Sequence, residues 1–267
     1  MRIHNWKKKE FVKYWKYYRE PSRPSKSELE FIEEKIKEKG HSVNVLILGS
    51  TPEYREICGR LGIGVTCLDF SRFNYDWIGK EVKHKPVERF IEGNWLTAKT
   101  KDKFDIILGD NVIQVVRKED TESLLRNIST MLKKEGYFMP RSFVRDKDED
   151  YTGESAIKEY REKWSNEGLY RGTVRNLFVS LVDKKTDSFM FRDGWRLIEK
   201  LHHDKIITDK EFEEYKNFSF DRDFYVYIPI REDLDRIFLG FFKIKEIFYG
   251  KEKFLKDKLP LHVLTLR

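Results

Sequence analysis

The chain has 267 residues, of which 39% are hydrophobic, 15% aromatic and 37% charged, with a net charge of +7. That suffices for one large domain, or for a core domain with a sizeable insertion. No apolar run approaches the ~20 residues that cross a bilayer, and the charged, aromatic start lacks signal-peptide form, so a soluble cytoplasmic protein is expected.

The positive surplus is uneven. Residues 1–40 hold twelve Lys and Arg against seven Asp and Glu, and residues 241–267 hold seven against three, while the stretch between is slightly acidic. Such ends could meet RNA or an acidic partner, but solvated helix faces explain them more simply, since no nucleic-acid module is visible. The two cysteines, Cys58 and Cys67, lack metal-ligand spacing and read as buried small hydrophobes.

In chain order, Phe11, Tyr14, Trp15 and Tyr18 follow helical spacing, EPSRPS breaks that helix, and Ser25 or Ser27 caps a second one ending at Gly40. Together they form a cap over residues 1–40. VNVLIL is then a buried parallel strand. It ends on Gly49, which permits unusual dihedrals and close approach by a ligand. Thr51 is expected as a helix N-cap, with Pro52 at the first helical position and Glu53 in the first turn. VTCLDF is the second strand and ends on Asp69. This turn, followed twenty residues later by a carboxylate on the next strand, is the layout of a nucleoside-binding α/β half. SRFNYDWIGKE reads as a short helix or loop, VERFIEGNWL as a third strand and turn, and KDKFDIILGDNV as a fourth strand. EDTESLLRNISTMLKKEG is a helix with Lys in its last turn and Gly136 at its exit, and YFMPRSFV is a fifth strand. Residues 146–240 lose the βα rhythm and read as a mostly helical insertion. FFKIKEIFYG and LPLHVLTLR then supply two antiparallel strands.

The order LILGSTPE, Asp69, EGNWL, FDIILGDNV and LKKEGYFMPRSFV resembles the class I S-adenosylmethionine-dependent methyltransferases, with LGSTPE similar to a subgroup whose first turn reads LG-x-TPE. The resemblance covers about residues 42–145 and 241–267. It implies an α/β fold: a Rossmann-like seven-stranded sheet with an antiparallel C-terminal hairpin, here carrying the N-terminal cap and the insertion. It also implies S-adenosyl-L-methionine as cofactor. Gly49, Ser50 and Thr51 would lie against the methionine part, Asp69 with the adjoining Phe70 at the ribose, and Asn94 and Trp95 beside the adenine. Asp110 and Asn111 would sit where the fourth strand opens toward the methyl group, Asp110 being the candidate for orienting the acceptor or accepting its proton. The chain departs from the family in its first turn, which keeps one glycine where several are usual, and at Asn94, where an acidic residue is more common.

A nicotinamide dinucleotide is the competing cofactor. Its pyrophosphate needs a glycine-rich turn that is absent here, and Glu53 at the helix start would repel it while tolerating the ammonium and sulfonium of S-adenosylmethionine. The thin first turn leaves open a binding scaffold without transfer activity. GDNVIQ lacks the Pro-Pro-aromatic slot suited to base amino groups, and no cysteine is placed for cytosine chemistry. A small-molecule acceptor enclosed by cap and insertion is therefore expected ahead of RNA or protein. No metal site is expected, because His202 and His203 are adjacent on a helix and diverge.

Overall fold

The computed structural model describes residues 15–216, 224–255 and 257–267. After a single 3₁₀ turn at Trp15–Tyr17, the elements run α1 (Lys26–Glu38), β1 (Val45–Leu48), α2 (Pro52–Arg60), β2 (Val65–Asp69), α3 (Arg72–Ile78), β3 (Glu88–Glu92), β4 (Phe104–Asp110), α4 (Thr121–Met131) and β5 (Leu132–Arg141). There follow α5 (Gly153–Glu159), α6 (Leu169–Leu181), β6 (Ser188–Met190), α7 (Phe191–His203), α8 (Asp209–Lys216), β7 (Tyr225–Tyr227), α9 (Arg231–Leu239), β8 (Phe242–Tyr249) and β9 (Pro260–Leu266).

Seven strands form one sheet in the order β3-β2-β1-β4-β5-β9-β8. The first five pair in parallel, and β9 enters antiparallel between β5 and β8. All four residues of β1 are buried, as a central strand covered on both faces requires. On one face, Phe31, Ile32 and Ile36 of α1 join Tyr54, Ile57 and Cys58 of α2 over Ile47, Cys67 and Ile106. On the other, Leu124, Leu125 and Ile128 of α4 and Leu234 and Phe238 of α9 cover Leu46, Ile107 and Phe138. Helix α9, which falls within residues 146–240, thus packs on the sheet. Both cysteines are buried, and burial pushes the Cys58 thiol up to about 12.

Local signals explain most boundaries. Ser25 forms a capping box with Glu28 at the start of α1: its hydroxyl accepts from the Glu28 amide, and Glu28 Oε2 accepts from the Ser25 amide at 2.7 Å. Pro52 stands at the start of α2, but Thr51 caps it by position only, with no hydrogen bond from its side chain. Gly62, at φ +68°, turns the chain out of α2.

Three expectations need correction. The helix expected to run through Lys133 and Lys134 to Gly136 ends at Met131; Leu132 turns extended, and residues 132–141 are strand. Leu132 already pairs with Phe104, while Tyr137 pairs with Ile106, so the charged 133–136 stretch is accommodated as an irregularity of the β4–β5 ladder. Strand β5 also stops at Arg141 rather than Val144. Of the first expected helix, residues 1–14 lie outside the described residues, and Trp15–Tyr17 is a 3₁₀ turn.

Residues 146–240 contain a two-stranded β6–β7 ribbon besides their helices. Their own apolar cluster includes Ile157, Leu169, Phe178, Phe191 and Tyr215, and it reaches across to Trp15, Tyr18, Ile78 and Phe143. Helix α6 also grips the N-terminal segment by polar contacts: Tyr170 Oη lies 2.5 Å from Ser22 Oγ, and Arg171 pairs with Glu20 at 2.5 Å.

Candidate functional site

The carboxyl ends of β1, β2 and β4 open on one cleft. It is lined by Leu48, Gly49, Ser50 and Thr51 from the first turn, Asp69 and Phe70 from the end of β2, and Asp110 and Asn111 from the end of β4. Trp95 and the α3 residues Asn74 and Ile78 form further walls, and Trp15 and Ser22 of the N-terminal segment complete it. A crevice outside the carboxyl ends of parallel strands, where strand order reverses about β1, is where open α/β sheets take ligands.

Gly49 is at φ +95°, and its amide donates to Leu68 O at 2.8 Å. A side chain at that dihedral would be strained, and a Cβ there would stand 3.6 Å from the Trp95 ring. The Trp95 indole N–H donates to Leu68 O at 2.7 Å, which fixes the ring over the turn. Phe70 faces Trp95 with ring centroids 6.0 Å apart. Two aromatic rings beside a strand end, one of them tethered, suit a flat heterocycle.

Asp69 is 7% exposed. One of its oxygens accepts from Ser50 Oγ at 2.8 Å and the other from the Ser71 amide at 3.1 Å. Burial outweighs these donors and pushes its pKa up to about 6. All its partners are neutral, so the carboxylate retains accepting capacity for ligand hydroxyls.

Asp110 is more enclosed. The β4–β5 register places it directly opposite Arg141. Arg141 is fully buried and donates from Nη1 to Asp110 Oδ1 at 2.9 Å and from Nε to Glu28 Oε1 at 2.8 Å. Its Nη2 donates to Pro21 O at 2.8 Å and to Arg23 O at 3.1 Å. Asn111, at φ +54°, also donates to Asp110 Oδ1, at 3.2 Å. Among the described residues Asp110 Oδ2 accepts no hydrogen bond, and Asn111 Oδ1 is buried with no partner. Burial, reinforced by Glu53 and Glu28, outweighs Arg141 and pushes the Asp110 pKa up to about 7.

Two expected contacts are arranged otherwise. Glu53 is ion-paired with Arg23 and does not line the cleft. Asn94 turns its Oδ1 onto the Leu96 amide at 3.0 Å, closing its own turn, and it too is outside the cleft lining. Gly49, Ser50, Thr51, Asp69, Phe70, Trp95, Asp110 and Asn111 are brought together. Sequence reasoning missed Arg141 and Glu28. The available signal was a charged residue closing an apolar strand, since buried Arg is almost always paired. His202 binds Asp209 at 2.7 Å, and among the described residues no group of three or more His, Cys, Asp or Glu could hold a metal ion.

With Glu28, Glu53 and Asp110 ionised against Arg23 and Arg141, the wall beside the first turn carries one net negative charge. Pro52 removes one amide from the α2 N-terminus, and Glu53 stands beside it. A carboxylate and a missing amide at a helix start both disfavour a diphosphate there.

Residues 48–139 match the family model of a methyltransferase domain. Comparison with curated protein sequences gives no match. Among solved structures, an S-adenosylmethionine-dependent methyltransferase of Methanosarcina mazei is 14% identical with a TM-score of 0.51, over 85% of this chain and 93% of that one. Magnesium protoporphyrin IX methyltransferase of Synechocystis PCC 6803, solved with bound S-adenosylhomocysteine, is 9% identical with a TM-score of 0.51, over 89% and 81%. A Rhodobacter sphaeroides protein provisionally named as a Zn-dependent alcohol dehydrogenase is 15% identical with a TM-score of 0.57, over 96% and 97%. Likenesses at these identities carry the fold alone. The family match over residues 48–139, the seven-stranded sheet with its antiparallel last strand, and a cleft at the carboxyl ends of its strands agree: the chain carries a methyltransferase domain on a Rossmann-like methyltransferase fold.

Proposed function

We propose that the protein transfers a methyl group from S-adenosylmethionine to a small-molecule acceptor held beside Asp110. The observation that carries this reading is the pairing of two different carboxylates in one cleft, Asp69 among neutral donors and Asp110 in a net negative corner. The first suits ribose hydroxyls and the second a neighbouring positive charge. Phe70 and Trp95 would flank the adenine, and the Gly49–Thr51 turn would receive the methionine part. The unpartnered Asn111 Oδ1 can accept from its ammonium. Asn94, which stabilises its turn, supports the adenine wall only through Trp95.

When bound, the cofactor supplies a methyl group on a positively charged sulfur that leaves neutral. The chain's residues then have to align the acceptor, exclude water and, for an acceptor that must lose a proton, accept it. Asp110 Oδ2 would accept that proton, and a carboxyl pushed up to about 7 exchanges it near neutral pH. Trp15, Ser22 and Ile78 wall the same cleft and would limit water beside the bound cofactor.

A small acceptor is favoured over RNA or protein by two observations. The N-terminal segment stands over the cleft and is fastened by α6. Several basic side chains near the chain ends are also spent internally: Lys35 on Glu38 and Glu246, Lys37 on Glu33, and Lys245 on the Tyr137 hydroxyl. In this reading residues 1–40 cap the cofactor, residues 41–145 and 241–267 bind it, and residues 146–240 shape the acceptor side.

Mass spectrometry of the purified protein for retained S-adenosylhomocysteine, with calorimetric titration of S-adenosylmethionine and NADH, tests the cofactor. Binding of NADH and not of S-adenosylmethionine would overturn the proposal. Incubation with tritiated methyl donor and a cell extract, split into small-molecule, RNA and protein fractions, tests the acceptor. Label confined to a macromolecular fraction overturns the small-molecule assignment, and binding without label in any fraction favours the scaffold.

A further inference from the structure

We propose that Arg141 is a positioning residue of the transfer site: its one guanidinium, shared between Glu28 and Asp110, favours the ionised form of Asp110 and aims it while the Pro21–Arg23 segment is seated on it. This rests on the reading of the cleft as a methyl-donor site.

The geometry is a four-way junction inside the protein. Arg141, 0% exposed, ties the end of β5 to the end of β4 through Asp110, to the first turn of α1 through Glu28, and to the segment before α1 through the Pro21 and Arg23 carbonyls. Glu28 is itself held by the capping box, its second oxygen occupied by the Ser25 amide. The guanidinium therefore cannot rotate further toward Asp110 without giving up Glu28, and its orientation is set by the N-terminal segment. Ser22, between the two carbonyls that Arg141 holds, lines the cleft. Closure of the cleft and the aim of Asp110 thus share one cation.

The junction also has the asymmetry of a working site. Arg141 and Asn111 both donate to Asp110 Oδ1, and Oδ2 is left without a donor among the described residues. A strand-end arginine with only a packing role has no reason to serve a carboxylate on the cleft wall, since a buried ion pair is commonly replaceable by apolar groups at no loss of stability. The charged and titratable groups around Asp110 are Arg141 from β5, Glu28 from α1, and Glu53 and Tyr54 from α2, with Arg23 neutralising Glu53. Tyr54 is buried and stays protonated, because desolvation raises its pKa well above the ordinary value. The balance that Asp110 feels is therefore Arg141 against Glu53 and Glu28, of which Glu28 shares the guanidinium.

The test uses the full chain as wild type, Arg141→Lys and Glu28→Gln, each checked for folding by thermal melt. Carbon-13 NMR of protein labelled at the aspartate carboxyls follows Asp110 without ligand, its signal identified by its loss in Asp110→Asn. Lysine lacks the planar fork that holds both carboxylates together with the Pro21 and Arg23 carbonyls, so Arg141→Lys is expected to raise the Asp110 midpoint by about one pH unit. Glu28→Gln removes the competing negative charge and is expected to lower it. Calorimetry over roughly pH 6 to 8.5 then compares S-adenosylmethionine, with its charged sulfur, against neutral S-adenosylhomocysteine. The affinity ratio should rise through the Asp110 midpoint and move with it in each variant. A merely structural arginine gives midpoints that stay put or shift in the same direction in both variants, and either result overturns the proposal. Should Arg141→Lys fail to fold, Glu28→Gln decides alone: a midpoint unchanged or raised is refutation. Failure of both ligands to bind wild type removes the methyl-donor reading instead, while the NMR titrations still judge whether Arg141 governs Asp110.

Discussion

Asp69 and Asp110 end β2 and β4, on either side of β1, and both are carboxylates that burial makes harder to ionise. Their surroundings differ. Asp69 is solvated locally, by a serine hydroxyl from the preceding turn and a backbone amide two residues on. Asp110 depends on an arginine 31 residues away, which in turn depends on a glutamate 113 residues from it. A locally solvated carboxylate can exchange its neutral donors for ligand hydroxyls one at a time. A carboxylate held by a shared cation changes state only together with the elements that share it.

The contrast breaks first at Arg141. Arg141→Met leaves Glu28 and Asp110 buried without their cation and should cost about 3–5 kcal/mol in urea denaturation at neutral pH. A loss under about 1 kcal/mol would mean that the junction is slack. Next, Asp69→Ala should weaken S-adenosylmethionine binding by about 1–3 kcal/mol in calorimetry, with little change in stability, as expected for loss of a charge-assisted acceptor. Unchanged affinity would take Asp69 off the ribose.

The third prediction concerns sign. A carboxyl whose folded pKa lies above its unfolded value binds its proton more tightly in the folded state. Its contribution therefore favours folding at low pH, and that advantage is lost as pH rises through the folded values of about 6 for Asp69 and about 7 for Asp110. Asp110→Asn, which keeps an acceptor for Arg141, should accordingly raise the melting temperature relative to wild type at pH 8 and much less at pH 5. An equal or lower melting temperature at pH 8 would show that Arg141 compensates the burial fully. The smallest effect is expected at Glu53. Glu53→Gln should change cofactor affinity by less than about 1 kcal/mol, since its partly exposed charge is already met by Arg23. A larger loss in calorimetry would return Glu53 to the methionine ammonium.

The same contrast marks how far the sequence could be read. Gly49, Asp69 and the strand–turn–helix between them were legible because each is signalled by neighbours in the chain: an apolar run, a proline at a helix start, a carboxylate at the next strand end. Trp95 was legible through its position after the third strand. Glu53 and Asn94 were placed in the site on position alone and turn out to serve Arg23 and a local turn. Nothing local distinguishes a glutamate facing a ligand from one facing an arginine on another segment. The end of α4 was misplaced for a related reason. Lys-Lys-Glu-Gly carries the marks of a helix exit, and the pairing of Leu132 with Phe104, a long-range contact, overrides them. Arg141 stood out only as a charge closing an apolar strand, and its partners could not be read because all of them come from other elements.

Strand β9 follows β8 in the chain yet lies inside the sheet, between β8 and β5, with Leu261 beside Arg141 and Leu264 beside Phe138. During synthesis the ribosome delivers residues 260–266 well after every cleft residue described above. Until they insert, β5 has an open flank, and the arginine that anchors the acidic corner has no neighbour on that side. A nascent chain stopped short of Pro260 would have its first turn spelled out in full but its last parallel strand unpaired on one flank, so completion of the sheet waits on a segment remote from the cleft.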